Sequence, residues 1–152
     1  MKSFAPLRKK SAPIREVEAQ NFAGRVEAKK ELTVIDNEKL ALALRSFAAE
    51  RDWDQFHTPK NLATSISVEA AELLELFQWS RGQKGWDEIE DASLRAKIED
   101  ELADILLYVI RFADKAAIDL QTIAERKIAS NAAKYPPETF RGSDRKYNES
   151  PL

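Results

Sequence analysis

The sequence predicts an all-α protein: an antiparallel four-helix bundle that self-associates. Three observations carry this. Apolar residues recur at three- and four-residue spacing through four long segments. Start signals open these segments and breakers separate them. The 152 residues include only four Gly and six Pro, most of the Pro near the ends, which favours long helices over many turns. No segment alternates like a strand, and no repeat is visible. With 43% hydrophobic and 33% charged residues, the chain has the balance of one soluble domain with its own core.

Residues 1–33 stand apart. They hold eight Lys or Arg against four acidic residues, and their apolar period is poor, so they read as a flexible N-terminal extension. A transit peptide would be poorer in acidic residues. The domain proper is expected over 34–137. Its first helix spans about Asn37 to Arg51, with Asp36 as N-cap and Leu40, Leu44 and Phe47 at core spacing. "RDWDQFHTPK" then breaks the period. Thr58 before Pro59 is a cap followed by a first-turn proline, and starts a second helix that runs to about Ser80. "RGQKG" ends it, and a short helix is expected near Trp86–Ile89. A third helix covers about Leu94 to Lys115. A fourth covers about Leu120 to Lys134 and stops before Pro136-Pro137, leaving 138–152 as a loose polar tail.

Composition excludes several functions. A formal charge of −2 lacks the basic excess of a nucleic-acid binder. Without Cys there are no disulfides and no thiolate zinc sites, which fits a cytoplasmic protein. No apolar run reaches the roughly 18–20 residues of a membrane span, and the N-terminus lacks the apolar core of a signal peptide. No membrane or nucleic-acid partner is therefore expected.

The informative anomaly is acidic. On a wheel at ~100° per residue, Leu62, Ile66, Leu73, Leu76 and Phe77 form one stripe of the second helix. Glu69 falls inside that stripe and Glu72 at its edge, while Glu75 points to solvent. On the third helix, Ile98, Leu102, Ile105, Val109 and Phe112 form the main stripe. A narrow polar band holds Asp100, Glu101, Asp104 and Arg111, with Glu101 between Tyr108 and Phe112. Glu69/Glu72 and Glu101/Asp104 are both spaced i,i+3, so each pair shares a face. A single such pair usually marks a solvated surface. Two pairs beside apolar stripes do not fit that account, because an isolated buried carboxylate is costly. If the two helices pack about 8–10 Å apart, four carboxylates converge and require a cation. Hard oxygen donors suit Mg²⁺, or Mn²⁺, rather than zinc; a buried Arg or Lys partner is the competing solution.

The segments "RDWDQFHTPKNL", "VEAAELLELFQW", "IEDELADILLYV" and "KIASNAAKYP" occur in this order. Together they resemble the MazG-like all-α nucleoside triphosphate pyrophosphohydrolases, and most closely the dCTP pyrophosphatase branch, over about residues 38–136. The resemblance implies Mg²⁺ ligation by Glu69, Glu72, Glu101 and Asp104. It implies hydrolysis of a dNTP, dCTP or a modified dCTP, to the monophosphate and pyrophosphate as nucleotide-pool house-cleaning. The expected step is attack of a metal-bound water on the α phosphorus, with Glu69 or Glu72 orienting or deprotonating that water.

The fourth helix places Lys127, Asn131 and Lys134 on one face, which spacing alone leaves as a solvated face. The resemblance makes Lys127 and Asn131 phosphate-side residues. It likewise places Trp53, His57, Trp79 and Tyr108 at the nucleotide, where aromatic faces can stack on a base; by themselves these residues could equally be core, cap or surface. Phe47 reads as core. One departure stands out: the animal dCTP enzymes carry a base-side histidine at the position matching Leu44. Leucine cannot make its polar contact, which bears on base choice more than on hydrolysis. The alternatives are the same chemistry on dUTP or a broad dNTP/NTP range, or a non-catalytic helical nucleotide-binding or interaction module. The apolar circumference of the third helix, too large for one neighbour, predicts a homodimer or homotetramer in which some of these residues serve a neighbouring chain's site.

Overall fold

The computed structural model describes residues 34–82 and 85–148; the expected extension over 1–33 lies outside them. Among the described residues every regular element is helical. Helix α1 covers Asn37–Glu50, α2 Pro59–Glu75, α3 Ala92–Ala116, α4 Leu120–Lys134 and the short α5 Pro137–Phe140; 3₁₀ turns occupy Asp54–Phe56 and Gly85–Glu90.

Each long helix starts on a side-chain cap that satisfies a backbone N–H otherwise left without a partner. Asp36 accepts from the Lys39 N–H at 2.9 Å, and Thr58 Oγ1 from the Asn61 N–H at 3.2 Å. Asp91 accepts from the Leu94 N–H at 2.8 Å, and Asp119 from the Thr122 N–H at 3.1 Å. Helix α3 ends where Ala117 turns left-handed (φ 52°), with the Ile118 N–H returning to the Ala113 carbonyl at 2.9 Å. Helix α2 is shorter than expected. From Phe77 onward the backbone bonds run to the third residue back, Phe77 to Leu74 and Gln78 to Glu75, so residues 76–79 form tight turns instead of further α-helix.

Helices α2 and α3 form the principal pair, and α1 packs on α3. Leu62 of α2 and Ile110 of α3 are each 2% exposed and anchor the core; burial of such side chains stabilises by about 1.5–3 kcal/mol apiece. From Ile105 to Asp114, α3 is covered on every side. Two of its residues depart from the simple wheel pattern. Leu102, expected in the main stripe, is 51% exposed, whereas Arg111, in the narrow polar band, is 4% exposed. The second cover on α3 is α1 together with the loop after it, which a wheel of α3 alone does not reveal. Phe47 is likewise surface rather than core: it is half exposed beneath the Arg51 guanidinium, 3.7 Å from the ring centroid.

The four long helices do not close into a bundle within one chain. Along α4 only Leu120 and Ile123 are even partly covered. Its apolar stripe is narrow, and the remainder, "AERKIASNAAK", has little to bury. The polar stretch after α4 is described as far as residue 148. Tyr135 meets Phe140 edge-on at 5.1 Å and Tyr147 at 5.9 Å, which turns residues 137–148 back onto the end of α4.

Candidate active site

Helices α2 and α3 bring three carboxylates together. One oxygen each from Glu69, Glu72 and Glu101 lie within 4.8 Å of one another. Glu69 and Glu101 are half-buried and Glu72 is exposed. Glu69 lies in the stripe that α2 turns to α3, since Leu62, Ile66, Leu73, Leu76 and Phe77 are all at least partly covered. Asp104, one turn after Glu101, does not join the three-oxygen cluster, but its charge acts on both Glu69 and Glu101.

The electrostatics are those of an acidic cluster without an internal counter-charge. Burial, then the Glu72 and Asp104 charges, push the Glu69 carboxyl above its usual range. Burial and the same two neighbours do so at Glu101. No ion pair or hydrogen bond among the described residues links Glu69, Glu72, Glu101 or Asp104 to an Arg or Lys. The competing solution, a carboxylate locked onto a buried cation, is therefore not the one used here. An all-oxygen donor set of like charge, with Glu69 and Glu101 half-buried and no Arg or Lys bonded to it among the described residues, fits a hard divalent cation.

The other expected site residues are scattered. Trp53 and His57 flank the 3₁₀ turn between α1 and α2. Trp53 touches Phe47 edge-on at 5.8 Å and is 46% exposed. Trp79, just beyond α2, is 89% exposed, and Tyr108 on α3 is half-buried. Lys127 and Asn131 are exposed on α4 and make no side-chain hydrogen bond or ion pair among the described residues. The chain's own fold thus assembles the carboxylates but does not bring α4 to them.

Sequence reasoning missed a second polar cluster. Arg111 donates to Asp54, to Asp114 Oδ2 at 3.1 Å, and through Nε to His57 Nδ1 at 3.1 Å. Lys115 reaches Asp54 at 2.9 Å, and Arg45 of α1 forms a forked pair with Asp114. The Arg45 hydrogen bond holds the Asp114 carboxyl below its usual range, and the Lys115 hydrogen bond does so for Asp54. Burial and Arg111 push the His57 imidazole down. The available signal was a single cation inside the apolar run "LLYVIRFA" with an aspartate three residues on.

Comparison with known proteins identifies the family. The profile of the MazG-like family matches residues 64–149, which include all four acidic positions. Human dCTP pyrophosphatase 1 is 42% identical over 109 residues, covering 69% of this chain and 62% of that protein. The bovine protein of the same name is 40% identical over 105 residues with the same coverage. The crystal structure of a pyrophosphatase from Archaeoglobus fulgidus shares 41% identity at a TM-score of 0.62, covering 71% of this chain and 99% of that one. The chain therefore spans 62% of the length of the curated relatives it matches.

Proposed function

Because the chain belongs to the MazG-like family, we propose that it is a Mg²⁺-dependent nucleoside triphosphate pyrophosphohydrolase that converts a dNTP, dCTP or a modified dCTP, to dNMP and pyrophosphate. The observation that carries this reading is the convergence of Glu69, Glu72 and Glu101 from two helices, with no Arg or Lys paired to them among the described residues. Glu69, Glu72 and Glu101 would hold the metal, with Asp104 completing the set. A divalent ion bound there offsets the charge of a polyphosphate and acidifies water. The named relatives, dCTP pyrophosphatase 1 and an archaeal pyrophosphatase, support the same chemistry.

The reaction asks two things of the chain. Water attacks the α phosphorus, one P–O bond forms, and the bond to the α,β-bridging oxygen breaks to release pyrophosphate. Glu69 or Glu72 orients the water and takes its proton. The exposed faces of Trp53 and Trp79, with Tyr108, offer stacking surface to the base, worth about 1–3 kcal/mol per contact. Lys127 and Asn131 take the phosphate side. The exposed α4 that carries them completes its bundle against a second copy, so a dimer or a pair of dimers forms the working unit. A role in clearing unwanted dNTPs from the cytoplasmic pool follows from this chemistry.

A second reading, the same cleavage on dUTP or a broad dNTP range, is favoured by one residue. Leu44 is apolar and half-buried on α1, where a base-reading polar group would otherwise help select cytosine. Pyrophosphate release measured with Mg²⁺ over a panel of dCTP, 5-substituted dCTP, dUTP, the other dNTPs and NTPs decides among these. Release with dCTP and its analogues well above the rest is the expected result. Equal rates across the panel favour the broad enzyme. Tight nucleotide binding with no pyrophosphate overturns the catalytic reading in favour of a binding module.

A further inference from the structure

We propose that Arg111 is a positioning residue: it holds His57 as the neutral tautomer protonated at Nε2, leaving that N–H as a donor to the bound nucleotide. The nucleotide clause rests on the function proposed above; the tautomer lock does not.

A guanidinium that is 4% exposed is costly unless its nitrogens find partners. Here each nitrogen has a partner on a different residue: Asp54 at Nη2, Asp114 at Nη1 and His57 Nδ1 at Nε. Arginine has only donors and does not deprotonate in proteins. His57 Nδ1 must therefore be an acceptor, with its lone pair on Arg111, and the proton of the neutral ring resides on Nε2. Protonating the ring would set one N–H against another. The surrounding charge opposes protonation as well. Burial acts first, Arg111 and Lys115 add to it, and Asp54 opposes them; Asp114 lies on the far side of the guanidinium, bonded to its Nη1.

The network also fixes where the ring sits. Arg111 and Lys115 lie one turn apart on α3, and both grip Asp54, the first residue of the 3₁₀ turn between Trp53 and His57. The loop bearing two of the base-side candidates is thereby clamped to the helix that carries Glu101 and Asp104. Arg111 is ten residues beyond Glu101 and seven beyond Asp104, about 15 and about 10 Å along the axis at 1.5 Å per residue, so it acts on the loop and not directly on the metal ligands.

His57 is the only histidine in the chain, so its ring nitrogens can be read without assignment. The experiment is a long-range ¹H–¹⁵N correlation spectrum of untagged full-length protein without nucleotide, across the histidine titration range. The wild type is expected to show an Nε2–H ring with an unprotonated Nδ1, titrating below the ordinary value of about 6.5. Arg111→Met should give mixed tautomers and a titration moved up. Asp114 keeps Arg45 and Asp54 keeps Lys115 in that variant, so the fold has reason to survive. Arg111→Lys, which keeps charge but loses the planar fork, should not restore the lock. In both variants KM for the best nucleotide should rise about 2–10-fold, the value of one hydrogen bond, with kcat within about twofold. A wild-type spectrum showing Nδ1–H or a mixture overturns the lock without reference to any variant. A locked ring with KM unchanged in both variants overturns the role toward nucleotide. A locked ring in a protein that releases no pyrophosphate removes the proposed function and leaves the lock standing, whereas an active enzyme with an unlocked ring does the reverse.

Discussion

At Glu69 a helix sacrifices packing for charge. A leucine there would stabilise the α2–α3 pair, whereas the carboxylate sits half-buried among like charges and its proton affinity rises in consequence. Neutralising it should separate stability from activity. Glu69→Gln and Glu101→Gln are expected to lose at least about 100-fold in Mg²⁺-dependent pyrophosphate release, the usual scale for removing one charge-stabilising group. In metal-free buffer they should melt no lower than the wild type, because repulsion has been relieved. Mg²⁺ at 100 times its Kd should stabilise the wild type by about 2.7 kcal/mol and the variants by much less. Asp114 behaves oppositely. Arg45, and then Arg111, hold its carboxyl below the usual range. The unfolded chain therefore binds the proton more readily than the native one, and stability from this group is present above the unfolded pKa and lost as pH falls through the folded value. Asp114→Asn should cost about 1–3 kcal/mol at neutral pH. Urea unfolding at stepwise lower pH should show the gap to wild type closing below the ordinary aspartate value of about 3.9; a gap independent of pH would contradict the pairing.

Helix ends carry their own test. Ala117 adopts φ 52° to close α3, a conformation that disfavours any residue with a Cβ. Ala117→Gly should raise stability by about 0.5–1 kcal/mol in urea unfolding with an unchanged m-value. The sequence disclosed the caps at Asp36 and Thr58 because a cap and its N–H are three residues apart and need no distant information. It disclosed the carboxylates of Glu69, Glu72 and Glu101 for a similar reason: periodicity marks where an acid intrudes on an apolar stripe. It could not show the early end of α2, since residues 76–79 keep helical spacing while their backbone bonds tighten. Nor could it place Arg111. The wheel of α3 contains only α3, whereas the residues that bury Arg111 come from the loop 54 to 57 positions earlier in the chain. Asp104 shows the same limit, because its spacing puts it on the face of Glu101 but cannot say whether its oxygen reaches the other three.

At the scale of the molecule, the exposed fourth helix is the unsolved part of the fold. Ile128 is 69% exposed, and Lys127 and Asn131 beside it have no partner among the described side chains. A narrow stripe on an isolated helix supplies little stability of its own, and the dimer or tetramer proposed above would cover it. Light scattering on a sizing column should report a dimer or tetramer, and Ile128→Asp should lower that mass or the melting temperature. A sharper test asks whose site α4 serves. Glu69→Gln removes a residue of α2, and Lys127→Ala removes a residue of α4. If α4 of one copy completes the carboxylate site of the other, co-refolding equal amounts of the two inactive proteins puts one intact α2 opposite one intact α4 in each mixed dimer. Half the dimers are mixed and one of their two sites is whole, so about a quarter of wild-type activity should return, given a two-fold symmetric pair. If α4 folds back to serve its own chain, every site in every dimer stays broken and no activity returns. Recovery therefore tests the sharing of the site directly, and a mass measurement alone does not.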